Sequence, residues 1–129
     1  MPKTLIILAH PDLSQSVVNK QWAAALKQHA DRFTVHELYA AYPQGKIDVA
    51  AEQKLIEAHG ALVWQFPVYW FSCPPLLKQW FDDVLTHGWA YGSKGKALTG
   101  RKIALAVSLG APAEDYRADG AVGCSVADV

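Results

Sequence analysis

Short, largely apolar runs alternate along this chain with stretches whose apolar residues recur every three or four positions. Residues 4–9 (TLIILA) stop at His10-Pro11, residues 61–66 (ALVWQF) follow Gly60, and residues 102–108 (KIALAVS) follow a loop at 91–99 containing glycine and lysine. Strands covered on both faces of a parallel sheet read this way, because side chains pointing to either side meet helices rather than water. Residues 33–38 (FTVHEL) instead alternate apolar with polar and are rich in β-formers, which predicts a second strand near a sheet edge. Between the strands, Val18, Trp22, Ala25, Leu26 and His29 mark one face of a first helix, with Ser14 or Ser16 as its N-cap. Asp48 caps a second helix running through His59 to a stop at Gly60. Pro74 and Pro75 open a third, whose broad apolar face is Leu76, Leu77, Trp80, Phe81, Val84 and Leu85 and which Gly88 ends. Residues 39–46 read as loop.

Strands that alternate with helices imply right-handed βαβ crossovers, hence an α/β fold: a doubly wound parallel sheet in a three-layer sandwich. The expected strand order is 2-1-3-4, with ligands bound beyond the carboxyl ends of strands 1 and 3, where the order reverses. Residues 1–129 read as a single domain. After Ser108 the chain is rich in Gly, Ala and Asp, with no fifth strand or final helix. Strand 4 would then be an exposed apolar edge, so the chain is expected to be a C-terminally truncated version of a longer one.

The two most unusual segments follow strands 1 and 3. Residues 10–19 (HPDLSQSVVN) offer Ser14, Ser16 and Asn19 side chains and the N–H groups that open a helix, a setting that suits a phosphate. No GxGxxG fingerprint is present, so a single phosphate suits the loop better than a pyrophosphate. Residues 66–75 (FPVYWFSCPP) place Tyr69, Trp70 and Phe71 between prolines that forbid regular structure. Rings carried on a loop at the ligand end of a sheet suit a flat aromatic ligand such as an isoalloxazine.

Composition removes several other functions. With 12 basic and 12 acidic side chains, the formal charge is zero, leaving no broad attraction to nucleic acid or anionic membrane. Cys73 and Cys124 match no zinc or CxxC spacing and read as free thiols in a reducing cytoplasm. No run reaches membrane-spanning length. His10, His36, His59 and Cys73 sit on separate elements at spacings that match no metal motif, which gives them structural or surface roles. A GxSxG elbow is also absent.

The pattern HPxxxxSxxN from His10 to Asn19, the run FPVYWFSCPPLLKQWFDDVLTHGWAYG and the following GKALTGRK together resemble the flavodoxin-like NAD(P)H:quinone oxidoreductases, the group containing DT-diaphorase. Within that group, LYAAYP followed by IDVAAEQ is most similar to the bacterial ancillary flavoproteins of glutathione-regulated potassium-efflux systems. The likeness runs from Lys3 to about Tyr116. It implies a non-covalent flavin, FMN or FAD, ping-pong hydride transfer from NAD(P)H to a quinone, and a homodimer with active sites at the subunit interface. By the resemblance, His10, Ser16, Val17, Val18 and Asn19 hold the flavin phosphate; Pro67, Val68, Tyr69, Trp70 and Phe71 line the isoalloxazine; Ser108, Leu109, Gly110 and Ala111 flank its other side. Tyr116 matches a tyrosine near the hydride-transfer site. The family's Thr-Thr-Gly-Gly after strand 4 is Ser-Leu-Gly-Ala here, and Ala121, Val122 and Gly123 stand where DT-diaphorase has a histidine. The ancillary proteins also imply an alternative role: a regulatory subunit docked on the cytosolic side of a potassium-efflux transporter, with catalysis secondary or absent.

Overall fold

The computed structural model describes residues 2–129. Four strands, β1 (Thr4–Leu8), β2 (Phe33–Glu37), β3 (Ala61–Pro67) and β4 (Lys102–Ser108), form one sheet in the order β2-β1-β3-β4. All three pairings are parallel. The register sets Leu5 beside Leu62 and Leu62 beside Ile103, then Ile7 beside Trp64 and Trp64 beside Leu105. Those rows face helices α3 (Val49–Glu57) and α4 (Pro75–Val84), whose Ile56, Leu76, Leu77, Trp80 and Val84 complete the main core. Trp64, Trp80 and Phe81 meet edge to face at its centre. Helix α1 (Val18–Lys27) lies on the opposite face. The expected fold class and order are therefore observed, with β2 and β4 at the edges.

Local signals act as the sequence predicts at the start of α3, where the Asp48 carboxylate accepts the Ala51 N–H at 3.0 Å. Helix α4 has Pro74 as its N-cap and Pro75 at its first position, where a missing N–H costs little. Three details differ. Helix α3 ends at Glu57, and Gly60 does not take the left-handed conformation of a helix stop; its N–H instead donates to the Lys3 carbonyl, entering β3. Residues 39–46 are not all loop, because a one-turn helix α2 (Leu38–Ala41) follows β2 directly, anchored by the fully buried Leu38. Helix α1 buries Asn19 and Ala23, while Trp22, Ala25 and Leu26 of the expected stripe line an open hollow over Ile6, Val63 and Ala106 of the sheet and Val18 stays exposed, so the stripe faces the sheet without being fully covered.

Edge strand β4 carries Ile103 and Leu105, which are 45% and 63% exposed, as expected for a strand with no neighbour on one side. Beyond Ser108 the described residues form only two short 3-10 turns, Ala113–Asp115 and Val126–Asp128. Among the described residues no helix is long and apolar enough to cross a membrane.

Among the described residues one ionisable side chain is buried in the core. Glu52 on α3, 2% exposed, accepts hydrogen bonds from Trp80 Nε1 at 2.8 Å, Tyr42 OH at 2.8 Å and His36 Nε2 at 2.9 Å. Burial alone would push this carboxyl up, but the donors from His36, Trp80 and Tyr42 prevail and hold it below the ordinary glutamate value. The Tyr42 phenol is pushed up to about 12, first by burial and then by its bond to Glu52. A carboxyl depressed in the folded state contributes stability above its unfolded value and loses it as pH falls through the folded value. Relative to Glu52→Gln, the protein should lose its stability advantage as pH falls from about 5 toward 3, read from urea midpoints at each pH.

Candidate functional site

The carboxyl ends of β1, β3 and β4 deliver three segments to one end of the sheet. After β1, Ala9 N donates to the Gln65 carbonyl at 2.9 Å, and the chain leaves the sheet at His10. The His10 Nδ1 accepts the Asp12 N–H at 3.0 Å, which leaves Nε2 as the protonated nitrogen of the neutral ring. Burial lowers the pKa of that ring, with the Asp12 charge partly opposing, so His10 is neutral and a hydrogen-bond donor near pH 7. A 3-10 turn at Leu13–Gln15 then leads into α1. Ser16 Oγ accepts the Asn19 N–H at 3.1 Å and so acts as a cap, whereas Ser14 donates to the Asp12 carboxylate at 2.6 Å. The Val17 and Val18 N–H groups find no acceptor among the described residues, so the helix opens with free donors and the positive end of its dipole.

The aromatic loop after β3 folds into a tight hairpin. Tyr69 N donates to the Ser72 carbonyl at 3.1 Å and Ser72 N to the Tyr69 carbonyl at 3.0 Å, closing a turn with Trp70 and Phe71 at its tip. Both tip residues have positive φ, 49° and 61°, the conformation of a type I′ turn that ordinarily selects Asn and Gly. Two bulky rings are thus held in a backbone shape that L-residues resist, and Trp70 is 91% exposed. Backbone strain of this kind concentrates at binding sites, where the side chains must be aimed and cannot be chosen for comfort.

The third segment, after β4, folds back on itself. Val122 N donates to the Asp115 carbonyl at 2.9 Å, and Gly120 permits the close approach, since a Cβ there would collide with the Glu114 and Asp115 carbonyl oxygens. This fold sets Ala111, Tyr116 and Val122 opposite Val68, Tyr69, Trp70 and Phe71, around a cavity of about 480 Å³. Its size falls within the ordinary range for small-molecule sites, and its walls are mainly apolar and aromatic.

The residues singled out in the sequence therefore fall into groups. Val68, Tyr69, Trp70, Phe71, Ala111 and Tyr116 share that cavity. Ser16, Val17 and Val18 form the opening of α1, and Asn19 joins it to β4 through a 2.8 Å bond from Nδ2 to Ser108 Oγ. Ser108 in turn accepts the Val68 N–H at its carbonyl, 2.8 Å away, so the helix opening and the ring-bearing loop meet at one residue. His10 lies apart from the ring cavity, lining a separate hollow with Asp12, Ser14 and Tyr39. Pro67 is buried at the end of β3, and Leu109 and Gly110 do not reach the cavity wall. Asn19 is 2% exposed with its amide committed to protein partners, so it shapes the floor of the site. Two residues escaped the sequence reading. Val122 was marked only as standing in the region of the family's histidine, and it lines the cavity because the tail folds back, which no local pattern announces. Gln65, beneath Asn19, did leave a sign: it is the one polar side chain in the strand ALVWQFP.

Residues 2–129 match the family described as having a flavodoxin-like fold, and the chain belongs to that family. An uncharacterized NAD(P)H oxidoreductase of Bacillus subtilis, YrkL, is 54% identical over 98% of this chain and 72% of its own length. A glutathione-regulated potassium-efflux ancillary protein, KefG of Yersinia enterocolitica, is 44% identical over 92% of this chain and 64% of its own. Among solved structures, general stress protein 14 of Treponema denticola, crystallised with FMN, superposes with a TM-score of 0.97 at 83% identity, covering 98% of this chain and 73% of that one. An NADPH-quinone reductase from P. pentosaceus gives a TM-score of 0.86 at 33% identity over 98% of this chain and 71% of its own. The resemblance read from the HPxxxxSxxN and FPVYWFSCPP motifs is thus borne out, in fold and in the company the chain keeps.

Proposed function

We propose that this protein is a flavin-dependent NAD(P)H:quinone oxidoreductase that binds FMN between the opening of α1 and the loop after β3. One observation carries the reading: free helix-opening N–H groups and a ring-lined cavity meet at Ser108, a phosphate site and a flat-ring site on one rigid frame. The donor set fits the group. Val17 and Val18 N–H would hold the phosphate, with the neutral His10, at the start of the same β1–α1 loop, as a candidate further donor. Val68 to Phe71 would line the ring system, and Tyr69, Trp70 and Phe71 would keep water from its reactive face. Bound FMN supplies the capacity to take up and release a hydride, so that a nicotinamide and a quinone can use one slot in turn. The chain's own share is orientation and exclusion of water, which agrees with the scarcity of acid and base groups in the cavity wall. The FMN-bound relative and the relative named as a quinone reductase support both the cofactor and the acceptor.

Tyr116, on the wall facing the ring loop, is assigned the role of donor to the acceptor's oxygen. Tyr116→Phe should therefore lower kcat/KM for a quinone about tenfold while leaving FMN affinity within about twofold, as seen by steady-state rates beside flavin titration. A homodimer placing this cavity at the subunit contact would cover Trp70, the most exposed ring of the loop.

A second reading rests on the ancillary-protein relative: a cytoplasmic regulatory subunit that docks on a potassium-efflux transporter. One experiment separates the two. FMN-loaded protein mixed with NADPH or NADH under anaerobic conditions should consume one equivalent of nucleotide per flavin, and should turn over beyond that only when a quinone is supplied to take up the hydride. Protein that stays inert with added FMN or FAD, yet is retained by a transporter's cytosolic domain, would replace the enzyme reading with the docking one.

A further inference from the structure

Gln65 occupies a position where an apolar side chain would be expected. It sits in the middle of β3, between Leu8 of β1 and Ala106 of β4, and is 1% exposed. A carboxamide buried there is costly unless its polar atoms are used. Its nitrogen is used, on one residue. Gln65 Nε2 lies 3.2 Å from the Asn19 backbone carbonyl and 3.2 Å from Asn19 Oδ1.

The chemistry of these contacts fixes which atom is which. A backbone carbonyl only accepts, so the Gln65 atom beside it is the nitrogen. A nitrogen that only donates requires the oxygen of the Asn19 amide on its side. The Asn19 Nδ2 is thereby turned the other way, to Ser108 Oγ at 2.8 Å. Gln65 thus grips the first turn of α1 at both main chain and side chain, and orients the one amide that ties this turn to the end of β4. Ser108 already holds the start of the ring loop through the Val68 N–H. The side chain therefore reaches, through Asn19, the helix opening, the end of β4 and the start of the ring loop, although it lines neither the ring cavity nor the His10 hollow.

We propose that Gln65 is a positioning residue that sets the opening of α1 relative to Ser108 and the ring loop, fixing the distance between the phosphate end and the ring end of the flavin site. The assignment rests on the flavin reading above for its ligand, and on the buried hydrogen bonds alone for its mechanical part. Gln65 holds the helix donors in register with the rings, so its loss falls on ligands that use both ends at once. Riboflavin, which lacks the phosphate, needs only the ring end.

The test compares FMN and riboflavin on the full chain, with Gln65→Met removing the donor at near-constant volume. The ratio of FMN to riboflavin affinity should fall about tenfold, equivalent to about 1.4 kcal/mol. Ser108→Ala, a milder change, should lower the ratio about threefold, and the double variant should fall short of the product of the two single effects because one network is cut twice. A general loss of packing would weaken both ligands alike; equal losses, or an unchanged ratio, would overturn the proposal. Hydrogen exchange supplies a readout without any flavin. In Gln65→Met the amides of the first turns of α1 should exchange at least tenfold faster, with those of α4 unchanged, and equal protection in α1 would also overturn it. Should the unsubstituted protein bind no FMN while α1 exchange still accelerates in Gln65→Met, the flavin reading fails and the positioning role stands.

Discussion

Trp80→Ala is expected to lower the unfolding free energy by about 4 kcal/mol, read from urea denaturation at pH 7. Two losses add. The indole is fully buried and packs edge to face on Trp64 at 5.9 Å and Phe81 at 5.7 Å, so alanine opens a large cavity in a core that cannot collapse around it. The same change removes the Nε1 donor from the buried Glu52 carboxylate, leaving it two donors instead of three. Trp80→Phe separates the terms, because a ring remains while the donor goes. It should cost about 2 kcal/mol, and the gap to alanine measures the cavity. A fall below about 1 kcal/mol for alanine would mean that α4 is not packed on the sheet as described.

Replacing the hairpin tip, Trp70→Asn with Phe71→Gly, should make the protein more stable and a far poorer flavin binder. Each tip residue at positive φ costs on the order of 1 kcal/mol, and Asn-Gly removes that strain. Against this stands the loss of the edge contact between the two rings, at 6.4 Å, a geometry worth about 0.5–1.5 kcal/mol at most when the rings are exposed. The net expectation is a gain of about 1 kcal/mol. Stacking on an aromatic side chain is worth about 1–3 kcal/mol per ring, so FMN affinity should fall about a hundredfold. Thermal unfolding and flavin titration on the same preparation check both halves. A change that raises stability while removing binding is what strain held for function predicts, whereas a turn without a ligand should gain stability at no loss.

The sheet was legible because β1, β3 and β4 are covered by apolar runs that only a parallel sheet accommodates, and β2 alternates as an edge does. Asp48 and Pro75 marked helix starts because capping is a local interaction, complete within one turn. The face of α1 was legible only in part. Trp22 and Ala25 do line a hollow over the sheet, but the fully buried residues of the helix are Ala23 and Asn19, and Asn19 is accepted there only because Gln65 and Ser108 complete its hydrogen bonds. A polar pair buried from two distant segments has no periodic signature. Glu52 escaped for the same reason, since its donors come from β2, α4 and the segment after α2. His36 and His59 did prove structural: His36 serves Glu52, and His59 binds Thr34 Oγ1 at 2.8 Å and the Leu55 carbonyl. At the site, the ring loop was recognisable from composition and prolines. Its positive-φ turn and the fold-back of the tail onto it emerge only from the backbone path.

Titration of FMN into flavin-free protein, followed by quenching of flavin fluorescence, tests the central claim most directly. Saturable one-to-one binding at micromolar or tighter concentrations, with riboflavin at least about tenfold weaker, is the result expected if α1 holds the phosphate and the ring loop holds the isoalloxazine. Absence of saturation up to about 1 mM, or equal affinity for riboflavin, would contradict the assignment of these two segments to one flavin site.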